Sequence, residues 1–207
     1  MNDFNLKKII LFVMLAVSLL SSSTAMAKSS DVDSAQNRVI SVTTAVVKEL
    51  AVNKNKYTKN SEALDSLIRT RVLPFMDFEA MSKLTLGKHW RSASASQRIR
   101  FINAYREMLI RSYGNIMIKY AGATIRPGRS VAGTRAGYVS VKTTVTPRGG
   151  APIAANYDVR NKTGDWKAIN VQVGGVNLIT NFRTNFTREV SAKGLEALIT
   201  RLNNIKK

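Results

Sequence analysis

The sequence predicts an α+β fold, with helices packed on one face of a small twisted antiparallel sheet of about four strands. Two observations carry this. Apolar residues recur at three- and four-residue steps from Val39 to Tyr120, the period of an amphipathic helix. From Ala123 the period drops to two, and helical spacing returns only after Gly174-Gly175. Helices on one side of a run of strands, with no βαβ alternation, point to a meander covered by helices.

The chain opens with a targeting pattern. Lys7 and Lys8 precede an apolar run from Ile9 to Leu20, and Ala25-Met26-Ala27 is a small-x-small cleavage site. Basic, apolar and small in that order is the mark of a secretory signal peptide. The run is shorter than the roughly 20 residues a membrane span needs. Residues 1–27 are therefore expected to be removed on export. Residues 28–207 should form a single domain or two small lobes.

The first mature helix runs over Asp33 to Val52, with Val39, Val42, Val46, Val47 and Leu50 on one face and Thr43 among them. Ser61 is placed to cap a second helix bearing Leu64, Leu67, Ile68 and Val72, which Pro74 stops. Asp77 starts a shorter helix through Met81 and Leu84. Ser94 and Gln97 fit a capping box. The long helix behind them carries Phe101, Tyr105, Met108, Leu109, Tyr113, Ile116, Met117 and Tyr120 as one apolar stripe.

Three strands follow. Val139, Val141 and Val145 alternate with polar residues, as do Ile153, Ala155, Tyr157 and Val159, then Ile169, Val171 and Val173. Residues 147–150 and 161–165 are turns, and Thr124-Ile125-Arg126 is an edge strand ended by Pro127. After Gly174-Gly175, Val176, Leu178, Ile179, Phe182, Phe186 and Val190 resume helical spacing. Leu195, Leu198, Ile199 and Leu202 form a last helix.

Composition narrows the function. With no cysteine, the chain has neither disulfides nor thiol chemistry, so its stability must come from apolar burial, which a 44% apolar content allows. The formal charge is +19, and removing Lys7, Lys8 and Asp3 with residues 1–27 leaves +18. In a secreted protein that excess faces lipid headgroups, membrane surfaces or acidic partners rather than nucleic acid. His89 is the one histidine, no G-x-S-x-G elbow or phosphate loop occurs, and carboxylates do not cluster at ligand spacing. The expectation is a protein that is not an enzyme and holds no metal or cofactor.

The remaining feature is an apolar inventory facing one way. Phe101, Tyr105, Leu109 and Tyr113 would look from the long helix towards the sheet, and Val139, Val141, Tyr157, Val159, Ile169 and Val171 would look back. A solid core and a cavity share this pattern, and periodicity alone favours the solid core.

Five segments resemble the Mla-pathway periplasmic phospholipid-binding proteins, the toluene-tolerance auxiliary components of an ABC transport system. They are Leu73-Pro74-Phe75-Met76-Asp77-Phe78, Leu86-Gly87-Lys88-His89-Trp90, Ser94 to Tyr120, Trp166 to Leu178 and Gly194 to Leu202. The chain departs from that pattern with Asn170 where Asp is frequent and Asn177 where Ser is frequent.

The resemblance implies a periplasmic carrier whose helices and sheet enclose the acyl chains of a phospholipid. Such a monomer would shuttle cargo between an outer-membrane lipoprotein–porin complex and an inner-membrane ABC transporter with a lipid-transfer (MCE) domain. It would thereby maintain outer-membrane lipid asymmetry. The residues expected to touch lipid are Phe78, Met81, Trp90, Phe101, Tyr105, Leu109, Tyr113, Val139, Val141, Tyr157, Val159, Ile169, Val171, Val176, Leu178 and Phe182. The competing expectation is an exported basic module for anionic polymers or an acidic partner protein.

Overall fold

A computed structural model describes residues 29–205. The expected signal peptide, 1–27, lies outside the described residues.

Helix α1, residues 29–52, spans both layers of the fold. Its first half packs Ala35 and Val39 against Phe75, Val139, Val141, Val159 and Trp166 of the sheet side. Its second half packs Val46 and Leu50 against Tyr57, Leu64, Leu67, Ile68 and Ile110 of the helices. The short α2 (Lys54–Lys59) leads into α3 (Ser61–Leu67). The cap of α3 is Asn60 rather than the expected Ser61: its side chain accepts from the Ala63 amide at 2.9 Å, and Ser61 is already helical. The helix continues as a π turn, Ile68–Val72, then a 3-10 turn, Leu73–Phe75, where Pro74 ends it.

At that point the chain is tied to the sheet. Met76 forms a parallel bridge with Ala168, and the Asp77 amide donates to the Ala168 carbonyl at 2.8 Å. The Asp77 carboxylate, almost fully buried, caps α4 (Phe78–Leu86) through the Ala80 amide at 3.0 Å. It also accepts from Nε of Arg160, in the sheet, at 2.7 Å.

After α5 (Lys88–Ser92), the capping box forms as the sequence indicates. Gln97 N donates to Ser94 Oγ at 3.2 Å, and Ser94 N donates to Gln97 Oε1 at 2.9 Å. Helix α6 (Ala95–Tyr113) stops short of the expected Tyr120, and Asn115–Tyr120 tighten into a 3-10 segment. Gly114 marks the change. A methyl group there would stand 2.7 Å from the Ile110 carbonyl oxygen and 3.0 Å from Ile68 Cδ1, so glycine lets the π turn approach.

Among the described residues the antiparallel sheet has six strands, not about four: β1 (Thr124–Pro127), β2 (Val131–Ala132), β3 (Tyr138–Thr146), β4 (Ile153–Lys162), β5 (Asp165–Val173) and β6 (Val176–Asn177). Their order is β1-β3-β4-β5-β6, with β2 also beside β3. The extra strands β2 and β6 are two residues long, too short to show alternation. Val176, expected to begin a helix, instead pairs with Val173. Asn177 then caps α7 (Leu178–Asn203), accepting from the Thr180 amide at 2.9 Å. The two expected C-terminal helices are one run kinked at Gly194, whose φ of 82° suits glycine.

A β-bulge at Asp158/Val159 changes the phase of β5. Val171 stands opposite Tyr157, but Val159 pairs with Ala168, leaving Ile169 as the extra residue. One added residue moves neighbouring side chains to the other face. Trp166 and Ala168 consequently join the inner cluster in place of Ile169.

The stripe on α6 also differs from expectation. Phe101, Ala104, Tyr105 and Met108 face α4 and α7, not the sheet, in one core with Met81, Leu86, Trp90, Phe186, Leu198 and Leu202. Phe101 stacks on Tyr105 with ring centroids 5.6 Å apart, and Phe186 meets Phe101 edge-on at 6.0 Å. Helix α7 brings Ile179, Phe186, Leu198 and Leu202 to the apolar face of α6.

The buried Asp77 carboxylate is the central polar tie between the layers. Asp77→Ala is expected to lower unfolding free energy by about 3 kcal/mol, because it removes a helix cap and leaves Arg160 unpaired. Asp165→Ala, which breaks a half-exposed pair with Arg38, should cost less than about 1 kcal/mol. Urea unfolding of both variants measures the contrast.

Candidate functional site

Between the sheet and the second half of α1 lies an apolar hollow of about 490 Å³. Helix α1 contributes Val42, Thr43, Val46, Val47 and Leu50 to its wall. The π and 3-10 turns and the bridge after them add Ile68, Val72, Leu73, Phe75 and Met76, and α4 adds Phe78. Leu109, Ile110, Tyr113 and Gly114 come from the end of α6, and Ile116, Met117 and Tyr120 from the 3-10 segment. The sheet closes the far side with Ile125, Val145, Ala155, Tyr157, Val171, Val173 and Val176, and Leu178 completes the wall.

Polar groups are almost absent from this lining. The backbone there is mostly helical or paired in the sheet, so its donors and acceptors are largely satisfied internally. The Thr43 hydroxyl donates to the Val39 carbonyl at 2.7 Å and so needs no partner in the hollow. Burial pushes the Tyr157 phenol up to about 12. The ring lies deep among protein atoms yet remains partly accessible, because it faces the empty space.

The mouth is marked by exposure. Tyr113, Ile116, Val173 and Val176 line the hollow and are also among the exposed large apolar residues. They sit on the end of α6, the 3-10 segment and the β5–β6 turn. Val46, Leu50, Ile68, Phe75 and Ile110 are buried and form the floor.

Of the residues expected to touch lipid, Phe78, Leu109, Tyr113, Tyr157, Val171, Val176 and Leu178 line this hollow. Met81, Trp90, Phe101, Tyr105 and Phe182 belong to the packed helical core. Val139, Val141 and Val159 lie under the first half of α1. Ile169 is buried at the bulge. Sequence reasoning missed the lining from α1, the π turn and the 3-10 segment as site residues, although each had been placed on an apolar helix face. The π turn was the available signal, since π segments gather at functional sites, but its geometry appears only in the structure.

His89 is not part of the hollow. Its Nε2 lies 3.4 Å from Ser191 Oγ at the surface, and no carboxylate among the described residues bonds its ring. Among the described residues no group of three or more His, Cys, Asp or Glu side chains is arranged to hold a metal ion. No helix of the described residues is long and apolar enough to cross a membrane.

Comparison with known proteins agrees with the architecture. A solved structure of a phospholipid-binding protein from Ralstonia solanacearum, in complex with a phospholipid, superposes with a TM-score of 0.75 at 22% identity, covering 82% of this chain and 94% of that one. The two share a fold. The toluene tolerance protein ttg2D of Pseudomonas putida is 32% identical over 155 residues, 73% of this chain and 71% of the relative. The intermembrane phospholipid transport system binding protein MlaC of Haemophilus influenzae is 24% identical over 157 residues, 74% of this chain and 73% of the relative. The family model for MlaC protein matches residues 40–204. The chain belongs to the MlaC family.

Proposed function

We propose that this protein is a periplasmic phospholipid carrier that takes acyl chains into the hollow and ferries them between outer- and inner-membrane complexes, preserving outer-membrane lipid asymmetry. The observation that carries this reading is the hollow itself: about 490 Å³ whose lining is almost wholly apolar and is exposed at Tyr113, Ile116, Val173 and Val176. The names of the relatives and the lipid held by the Ralstonia protein support it.

The chemistry asked of such a site is burial. Each methylene moved out of water gains about 0.8 kcal/mol, enough to carry a lipid across an aqueous gap it cannot cross alone. A bilayer offers nearly the same gain, so exchange between membrane and hollow is close to balanced. Neither step needs a nucleophile, a metal or a cofactor, and we read the protein as a non-enzyme.

Native mass spectrometry of gently purified mature protein should find bound phospholipid; apoprotein alone would overturn the reading. Leu109→Glu or Val171→Glu should lower retained lipid on the order of tenfold, because a carboxylate in an apolar wall is costly. Val159→Ala, outside the hollow, should lower stability and leave retention per folded molecule unchanged.

Tyr157 gives a spectroscopic check. In the folded, lipid-bearing protein the phenolate absorbance that Tyr157→Phe removes should appear near pH 12, against about 10 in the denatured chain. The fold holds the neutral phenol, so this group's contribution to stability is complete below about pH 10 and is lost as pH rises through 12. A native midpoint near 10 would mean that water reaches the ring freely.

A further inference from the structure

The mouth carries cations and almost no anions. Residues 108–157 contain seven Lys and Arg and no Asp or Glu, and residues 166–188 contain three Lys and Arg and no Asp or Glu. These two stretches supply the end of α6, the 3-10 segment, β1 and β3, and then most of β5, β6 and the start of α7. The carboxylates are used elsewhere. Asp77, Glu107, Glu189 and Glu196 are paired with arginines away from the mouth. Glu49, the one carboxylate on the part of α1 that walls the hollow, accepts from Tyr57 and Asn53.

Two of these cations stand at the rim. In a 3-10 helix residues three apart eclipse each other. Exposed Lys119 therefore shares an edge with Ile116, one of the mouth residues. Arg148 sits in the β3–β4 turn, at the same end of the sheet as the β5–β6 turn, since Gly174 N donates to the Ala154 carbonyl beside it. Its guanidinium lies against Gly122, two residues beyond Tyr120 in the wall, where a methyl group would come within 2.8 Å of Nε. Among the described residues, neither Lys119 nor Arg148 has an ion-pair partner. Arg126 and Lys142 differ. Ile125, next to Arg126, and Val145, three residues after Lys142 on β3, line the hollow, so strand alternation sends both cations to the outer face of the sheet.

We propose that the mouth selects phospholipids whose headgroup carries a net negative charge, with Lys119 and Arg148 as the residues that meet it. The inference rests on the carrier reading and adds the class of cargo. The apolar walls treat all acyl chains alike, so discrimination between lipids falls to the rim. A zwitterionic headgroup presents its own ammonium to two unpaired cations. An anionic one presents only the phosphodiester and neutral groups.

The test uses the mature protein and vesicles of equal parts phosphatidylglycerol and phosphatidylethanolamine with identical acyl chains, with bound lipid read by native mass spectrometry. Wild type should hold phosphatidylglycerol in about two- to fivefold excess over the donor ratio, the scale of exposed charge pairs. The excess should shrink as salt is raised. The double variant Lys119→Gln/Arg148→Gln should return to the donor ratio while retaining as much total lipid. Arg126→Gln/Lys142→Gln, which removes the same charge from the outer face, should keep the excess. Wild type at the donor ratio, or an excess that survives the rim variant and falls with the outer-face variant, overturns the proposal. A wild type that holds no lipid overturns the carrier reading instead.

Discussion

The fold depends on the seam where Asp77 joins the helices to the sheet. Apolar layers close on each other unless something fixes their separation, because packed interiors leave little void. Here the Met76–Ala168 bridge and the Asp77–Arg160 pair hold the turn after Leu73–Phe75 against β4 and β5. Helix α1 fixes the other side, packing its first half on the sheet and its second half on the helices. With both ties in place the layers diverge between them, and the apolar faces left over line a hollow instead of meeting. The pair is buried on the Asp77 side, where the Ala80 amide and the Arg160 guanidinium held by its carboxylate offset the cost of desolvation.

The dense part of the protein lies elsewhere. Phe101, Tyr105, Phe182 and Phe186 interlock between α6 and α7, with Leu198 and Leu202 beyond the Gly194 kink packed beneath them. This aromatic core is a rigid platform from which the end of α6 projects into the hollow. Along a single helix, the N-terminal turns thus serve stability and the last turn serves the site. The division falls after Met108, the last α6 residue buried in the aromatic core; Leu109, Ile110 and Tyr113 line the hollow.

Much of this was legible in the sequence, and the gaps have physical causes. The Ser94–Gln97 capping box, the three long strands and their turns follow from local chemistry that tertiary contacts did not override. The strands β2 and β6 left no periodic trace. Ile169 was misplaced because a bulge is a property of strand pairing, and nothing in Lys167-Ala168-Ile169-Asn170 announces it. Phe101 and Tyr105 were assigned to the sheet side because periodicity shows that a face is apolar and cannot say which neighbour covers it. The same limit hid Val42, Val47 and Met117 as lining residues. Asn177, a departure from the resembled pattern, keeps a capping side chain at the start of α7. Asn170, the other departure, donates to Asp158 beside the bulge.

The division of labour between wall and rim follows from the nature of burial. An apolar wall binds in proportion to the area it covers and does so without direction, so it favours no headgroup and releases a chain as readily as a bilayer offers the same shelter. Any added hydrogen bond inside the hollow would deepen binding without helping release, and the Thr43 hydroxyl, turned back onto its own helix, shows how the wall avoids one. In the proposed carrier, orientation and choice fall to charges outside the apolar volume, where water keeps each contact weak enough to break. The chain's excess of cations is compatible with folding for the same reason. Its carboxylates neutralise the arginines that tie helices together, and the unpaired cations remain on solvated surfaces, where their mutual repulsion is screened within about 10 Å.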